Sequence, residues 1–271
     1  MNFNLRNLPE RFRWQLRQRG MRLKARCMKM FYSLPSVPLG LIVPAVTPLF
    51  PPIVDDICLP PYFGADDHDD YTPLMTLVRA LRPEVVLELG TAFGNTVANI
   101  CYQLPDAKVY TVNAPAEEQT GSTTTYQLNR AEIGMVYRKH GFEGRVTQIF
   151  ANTLNLDLAT YFQAPVVDLA VIDACHDREY VLNDFAKVIC FMKTSGFILL
   201  HDTSPSMKDH LIGSYSACMV LRRRGFDIRH LENTWWAIWT DWSRLETLSF
   251  PCDSSTSAGR QLTVGSRKCI L

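Results

Sequence analysis

The chain has 271 residues, of which 47% are hydrophobic and 20% charged, and its formal net charge is +1. This composition is that of a folded globular protein and excludes a disordered chain, and the small net charge gives no overall attraction to nucleic acid or membranes. Eight cysteines without a CxxC pair indicate free thiols in a reducing, cytoplasmic compartment. No uninterrupted apolar stretch of the sequence is long enough for a transmembrane helix.

Residues 1–65 differ in character from the rest of the chain. Between positions 5 and 29 there are seven arginines and two lysines against one acidic residue, with apolar residues at three- to four-residue steps. This pattern predicts a basic amphipathic helix, which either packs on the more acidic remainder of the chain or contacts an anionic membrane or a partner, including a second copy of the chain. Prolines in residues 35–61 predict an extended arm rather than a regular helix.

Residues 66–242 predict a single α/β domain, and residues 243–271 a loosely ordered tail. The first helix of the domain begins at Thr72-Pro73 and ends at Leu81. After it, five apolar strands alternate with helices, which indicates a doubly wound, mostly parallel sheet. The predicted strands are residues 84–89, 108–113, 145–150, 166–172 and 196–200. The predicted helices are residues 95–104, 125–140, 154–162, 178–192 and 208–224.

Two further strands, residues 227–231 and 235–239, are separated by only three residues. Such a short connection predicts an antiparallel hairpin, and we expect it to add one antiparallel member at the edge of the sheet.

A glycine turn follows the first apolar strand. Gly90 and Gly94 separate this strand from the helical segment that begins near Asn95. Glycine permits backbone angles closed to other residues, and a helix N-terminus directs free N–H groups toward a ligand. A turn of this kind after the first strand of an open α/β sheet predicts a nucleotide-cofactor site, and the alternative is a turn without a ligand.

Acidic residues follow the next two central strands. Asp173 and Asp202 come directly after apolar runs, so both are expected at the sheet edge beside the glycine turn. A hard cation such as Mg²⁺ would remove the repulsion between them, and the alternative is that one carboxylate bonds to backbone and the other caps a helix. His176 could act as a general base there or cap the following helix. Strand alternation predicts that His201 faces away and is structural.

The quoted residues resemble a known family. The stretch Glu88-Leu89-Gly90-Thr91-Ala92-Phe93-Gly94-Asn95-Thr96 is similar to the first motif of class I S-adenosylmethionine-dependent methyltransferases. Ile172-Asp173-Ala174-Cys175-His176, with Tyr180, Asp184 and then Leu199-Leu200-His201-Asp202-Thr203, resembles later motifs of its metal-dependent O-methyltransferase branch, which includes catechol, caffeoyl-coenzyme A and macrolide-sugar types. The resemblance covers residues 66–240 and implies a Rossmann-like seven-stranded sheet with a reversed C-terminal hairpin.

The resemblance also implies site residues. Asn113 stands where the family usually has the acid that holds the ribose hydroxyls, and Asn152 matches the adenine position. Asp173 and Asp202 match metal positions, and Thr203 stands where the catechol type has an asparagine ligand. His176 matches the proposed base of the sugar-modifying type. The implied cofactor-binding residues are Glu88, Gly90, Thr91, Gly94, Asn95, Thr96, Asn113, Asn152 and Asp173.

The expected function is methyl transfer from S-adenosylmethionine to a hydroxyl oxygen of a small molecule, with Mg²⁺ or another divalent cation assisting. One alternative is a non-catalytic S-adenosylmethionine-binding module that regulates a partner through the N-terminal helix. A nicotinamide-dependent oxidoreductase fits less well because the turn lacks the three-glycine phosphate fingerprint. Nucleic acid is disfavoured as a substrate because the basic residues cluster on one helix.

Overall fold

The computed structural model describes residues 34–43, 71–119, 127–203 and 212–243. The predicted N-terminal helix, most of the proline-rich arm and the C-terminal tail lie outside these residues. The strands are β1 Ser36–Val37, β2 Val85–Leu89, β3 Lys108–Asn113, β4 Val146–Phe150, β5 Val167–Ile172, β6 Met192–Leu200, β7 Ile228–Leu231 and β8 Ala237–Trp239. The helices are α1 Leu39–Ile42, α2 Tyr71–Leu81, α3 Asn95–Gln103, α4 Met135–Lys139, α5 Arg178–Val188 and α6 Ile212–Arg223.

The strands form one sheet in the order β1-β7-β8-β6-β5-β2-β3-β4. All neighbouring pairs are parallel except β6 with β8 and β7 with β8, which are antiparallel. The predicted α/β class and mostly parallel sheet are confirmed. The sheet has eight strands rather than seven, because Ser36–Val37, which the sequence assigned to the arm, pairs with β7 at the edge. One turn of helix, α1, follows it where no helix was expected.

The prediction that the hairpin adds an antiparallel edge strand is wrong in one respect. The antiparallel member, β8, lies inside the sheet between β6 and β7, and β7 returns to the parallel direction. All three residues of β8 are buried. A fully apolar, buried strand fits an interior position, where both of its backbone edges are paired.

Side chains of the strands alternate between two apolar layers, as a doubly wound sheet requires. Val86 of β2 and Leu199 of β6 pack with helices α2, α3 and α4 on one face. Leu87 and Leu200 pack with α5 and α6 on the other. The central strands are therefore covered on both faces, and only their ends remain for a ligand site.

The predicted helix over residues 125–140 is much shorter than expected. Within the described residues it is a single turn and a half, Met135–Lys139. Gly134 precedes it with φ +71°, a left-handed conformation that interrupts a helix. Instead, the Gly134 and Val136 amides donate to the carbonyls of Ala92 and Phe93 at 2.8 and 2.9 Å. The segment is thus held against the glycine turn rather than continuing as a helix.

None of the helices in the described ranges combines the length and apolarity that a bilayer crossing demands.

Candidate active site

The carboxyl ends of β2, β5 and β6 lie side by side at one edge of the sheet. Leu89 is in register with Ile172, and Ile172 with Leu200. The next residues continue this alignment: the Asp173 amide donates to Leu89 O at 2.8 Å, and the His201 amide donates to Ile172 O at 3.0 Å. The sheet register therefore brings together the glycine turn and the two predicted acidic positions.

Gly90 lets the first turn pass directly over the end of β5. Its φ is +111°, and a Cβ built on it would lie 2.0 Å from the carbonyl oxygen of Asp173. The Gly90 and Thr91 amides both donate to Val112 O, at 2.8 and 3.1 Å. No side chain fits at this position, so the close approach of the two backbones depends on glycine.

Gly94 ends the turn with φ +87° and forms the N-cap of α3. A Cβ there would lie 2.9 Å from the Cα of Gly134. The two glycines, Gly94 and Gly134, therefore let the turn pack closely against the segment before α4. As a glycine, this N-cap residue offers no side-chain hydrogen bond to the N-terminus of α3. The free N–H groups at such a helix N-terminus favour a negatively charged ligand group.

Asn113 supports the turn from the end of β3. Its side-chain oxygen accepts a hydrogen bond from the Ala92 amide at 3.0 Å, and its side-chain amide donates to Ala114 O at 2.9 Å. Ala92 has a φ of +45°, a strained value for a residue with a Cβ. The amide at position 113 therefore stabilises the backbone of the turn, and one lone pair of its oxygen is already used.

A buried polar row crosses three strands beneath the turn. Glu88 lies beside Thr111, and Thr111 beside Gln148, in the sheet register. Thr111 donates to Glu88 Oε2 at 2.5 Å, the hydroxyls of Thr91 and Thr111 are 2.7 Å apart, and Gln148 donates to Thr91 at 2.9 Å. Tyr137 of α4 donates to the Gln148 side-chain oxygen at 3.1 Å. The row fixes the position of Glu88 from one side.

Burial raises the pKa of Glu88 to about 8, although the Thr111 hydrogen bond opposes the shift and the nearby Asp173 adds to it. The unfolded chain releases this proton near pH 4.5, well before the folded protein does. Glu88 therefore favours folding most at low pH, and we expect this contribution to fall as the pH rises from about 4.5 to about 8.

We expect the ligand-free Glu88→Gln variant to lack this loss, because glutamine keeps the shape and cannot ionise. Near pH 8 the variant should be more stable than the parent protein by up to about 5 kcal/mol. Urea unfolding between pH 5 and 9 measures the difference. The same substitution at an exposed position, Glu118→Gln, is the matched control. Equal pH slopes in the parent protein and Glu88→Gln would contradict the burial argument.

Asn152 lies in the loop after β4. Its side-chain oxygen accepts from the Leu154 amide at 3.0 Å and closes a tight turn. From α5, Lys187 donates to three carbonyls of the loop, those of Thr153, Leu154 and Leu156, at 2.7 to 2.8 Å. Lys187 therefore anchors this loop to α5.

Asp173, His176, His201 and Asp202 form one cluster beside the glycine turn. His176 Nδ1 lies 2.6 Å from Asp202 Oδ2. His201 Nδ1 lies 3.3 Å from Asp173 Oδ1 and 3.4 Å from Asp202 Oδ1. The Asp202 side chain is 5% exposed and that of Asp173 is 33% exposed, so the cluster opens toward solvent on the Asp173 side.

The charges in this cluster shift one another's protonation. Burial lowers the pKa of both histidines, but the carboxylates outweigh it: Asp202 raises the pKa of His176, and Asp173 and Asp202 raise that of His201 well above 6.5. Burial would raise the pKa of Asp202, yet His176 and His201 hold it well below its usual range. Asp202 is therefore an anion that orients two imidazoles.

The prediction that His201 faces away from the site is wrong. Strand β6 ends at Leu200, and Asp202 has a φ of +57°, so the alternation of the strand no longer applies at these positions. Thr203, predicted as a metal ligand, is fully buried, and its hydroxyl donates to Trp235 O at 3.0 Å. His201 occupies the place beside the two carboxylates that was assigned to Thr203.

Two features that the sequence did not reveal complete the site. Tyr71, the first described residue of α2, shares a hydrogen bond with Thr96, and burial raises its pKa to about 12. Asp173 and His201 also lie near enough to Tyr71 to influence it electrostatically. Gly213 of α6 approaches the His176 backbone so closely that a Cβ would lie 2.1 Å from its carbonyl oxygen. Neither contact leaves a signal in local sequence patterns.

Comparison with known proteins agrees with this geometry. A family model described as a methyltransferase domain matches residues 87–203, which hold the glycine turn and all four cluster residues. Residues 87–203 therefore match a methyltransferase domain, which is the class that the motifs of this stretch resemble.

Solved structures that are similar to this chain have low sequence identity to it. An S-adenosylhomocysteine-bound methyltransferase from Podospora anserina is 19% identical over 66% of this chain and 82% of its own, with a TM-score of 0.48. The O-methyltransferase TomG from Streptomyces achromogenes is 18% identical over 66% and 85%, with a TM-score of 0.46. A putative caffeoyl-CoA O-methyltransferase from Staphylococcus aureus is 16% identical over 68% and 83%, with a TM-score of 0.45. No curated protein matches the chain.

Proposed function

We propose that the chain transfers a methyl group from S-adenosylmethionine to a hydroxyl oxygen of a small molecule. The observation that carries this proposal is the 2.6 Å contact between His176 Nδ1 and Asp202 Oδ2 beside the glycine turn. A base held in one orientation by a buried carboxylate is what deprotonation of a hydroxyl requires. The proposal adds the acceptor atom to the methyl-transfer class that the domain match supports.

The charges around the turn suit the amino-acid part of S-adenosylmethionine. The N-terminus of α3 favours its carboxylate, and Asp173 favours its ammonium and sulfonium charges, as does Glu88 once it has released its proton. Thr91, Asn95 and Thr96 belong to the same turn and first helical turn, and we assign them to this cofactor surface. Asn113 and Asn152 are assigned to the ribose and adenine, where Asn113 contributes chiefly by holding the turn.

His176 and Asp202 then act as a pair. Nδ1–H of His176 donates a hydrogen bond to the Asp202 carboxylate, which leaves Nε2 of the neutral imidazole free to accept a proton. As the acceptor hydroxyl loses its proton to Nε2, its oxygen forms the new bond to the methyl carbon. The carbon–sulfur bond breaks, and its electron pair neutralises the sulfonium. The chain contributes mainly orientation and proton removal.

The donor set of the cluster also fits a divalent cation. Asp173, His201 and Asp202 each offer one ligand atom, and these atoms all lie within 4.8 Å of one another. A cation bound there would supply Lewis-acid activation of the acceptor hydroxyl.

The test is methyl transfer from S-adenosylmethionine labelled with ¹³C in the methyl group, offered with a panel of hydroxylated small molecules. We expect a labelled carbon with the chemical shift of an oxygen-bound methyl group. Transfer only to nitrogen or carbon acceptors would contradict the assignment. Cofactor binding without transfer to any acceptor would instead favour the regulatory module.

A further inference from the structure

The side-chain atoms of Asp173, His201 and Asp202 are spaced like the ligands of a metal ion. Nδ1 of His201 lies 3.3 Å from Asp173 Oδ1 and 3.4 Å from Asp202 Oδ1. Metal–ligand bonds of about 2.0 to 2.2 Å place neighbouring ligand atoms roughly 3.0 to 3.5 Å apart in octahedral or tetrahedral sites. The imidazole therefore already stands at ligand distance from both carboxylates.

The two oxygens of Asp202 have separate partners. Oδ2 bonds to His176, whereas Oδ1 faces His201. A cation held through Oδ1 would thus leave the contact between Asp202 and His176 in place. The carboxylate can serve the metal face and the general base at the same time.

The His201 ring is held in its orientation by aromatic neighbours. Its centroid lies 4.2 Å from the ring of Trp236, which is buried, and 6.0 Å from that of Trp235. A ligand whose rotamer is fixed by packing is pre-organised for its metal. By contrast, Thr203 uses its hydroxyl on Trp235 O.

We propose that Asp173, His201 and Asp202 form a one-histidine, two-carboxylate site that selects a first-row transition cation, such as Mn²⁺ or Co²⁺, over Mg²⁺. Mg²⁺ prefers oxygen ligands alone, whereas imidazole nitrogen is an increasingly good ligand along the first-row series that begins with Mn²⁺ and continues through Co²⁺. This inference rests on the proposed function only in placing the metal in the same cleft as the methyl acceptor. It changes both the third ligand and the kind of metal that the sequence motifs implied.

The test uses the full chain after removal of metals with a chelator. Calorimetric titration with MnCl₂, CoCl₂ and MgCl₂ should show one site that binds Mn²⁺ and Co²⁺ at least about tenfold more tightly than Mg²⁺. In the His201→Asn variant the affinity for Mn²⁺ and Co²⁺ should fall by about 10- to 100-fold. His140→Asn, at the exposed C-cap position that follows α4, is the matched control for adventitious histidine binding and should bind as the parent protein does.

Pulsed electron paramagnetic resonance of the Mn²⁺-loaded parent protein should show coupling to an imidazole nitrogen, and this readout does not depend on the folding of a variant. Absence of saturable binding, a preference for Mg²⁺, or no nitrogen coupling would overturn the inference and leave the cluster as a set of histidine–carboxylate ion pairs. Methyl transfer in the presence of chelator is measured separately. Transfer without metal binding defeats only this inference, whereas metal binding without transfer defeats only the proposed function.

Discussion

The Gly90→Ala variant is expected to lose measurable binding of S-adenosylmethionine and to unfold more readily than the parent protein. The added Cβ would lie 2.0 Å from Asp173 O on a residue whose φ is +111°. Because the three nearest atoms, which belong to Asp173 and Ala174, are all backbone, the overlap can be relieved only by separating the ends of β2 and β5. That movement displaces the turn and the acidic cluster together. Cofactor-induced thermal shifts and urea unfolding measure the two effects.

The Gly225→Ala variant is the control that separates the effect of backbone strain from that of steric overlap. Gly225 also has a left-handed φ, +94°, but among the described residues no atom lies within 4 Å of its built Cβ. We expect a stability loss of about 1 to 2 kcal/mol from the backbone conformation and no change in cofactor binding. If Gly90→Ala behaved like Gly225→Ala, the close packing of the turn on β5 would not be what shapes the site.

The His176→Ala variant is expected to lose turnover by about 10²- to 10⁴-fold, which is the usual contribution of a general base. Its affinity for S-adenosylmethionine should stay close to that of the parent protein, because the imidazole faces Asp202 and not the glycine turn. Asp202→Asn should reduce turnover as well, since an amide no longer stabilises the charged imidazole. Single-turnover kinetics with saturating cofactor separate this loss from weaker binding.

His140→Ala is the matched control for His176→Ala, since His140 is exposed and stacks on Phe142 away from the cluster. Its turnover should be unchanged. Full turnover by His176→Ala with intact cofactor binding would remove His176 from the mechanism and leave orientation as the protein's main contribution.

Much of the fold could be predicted because it depends on local periodicity. The apolar runs of β2, β3 and β5 differ from the predicted strands by at most one residue at either end. Gly90 and Gly94 also marked the turn correctly, since both have the left-handed backbone angles that glycine permits. Features that a single stretch of sequence encodes on its own could therefore be predicted.

Features that depend on long-range packing could not be predicted from the sequence. The short α4 results from hydrogen bonds that Gly134 and Val136 donate to a turn some forty residues earlier in the chain, which override the helical pattern before it. The position of β8 inside the sheet depends on pairing with β6 as well as with β7. A three-residue connection predicts only the second of these pairings.

The composition of the acidic cluster shows the same limit. Alternation along β6 holds to Leu200 and fails at His201, because the chain bends and Asp202 takes a positive φ. The row from Glu88 to Gln148 requires the register of three strands, which spacing along one strand does not reveal. The proximity of Asp173, His176 and Asp202 to one another could be predicted, but the hydrogen-bond partners of each side chain could not.

The central claim is that the Gly90–Gly94 turn holds S-adenosylmethionine, and calorimetric titration of the purified full chain tests it most directly. We expect S-adenosylmethionine and S-adenosylhomocysteine each to bind at one saturable site, with NADH giving no binding heat. Saturable binding of NADH together with no binding of S-adenosylmethionine would contradict the account.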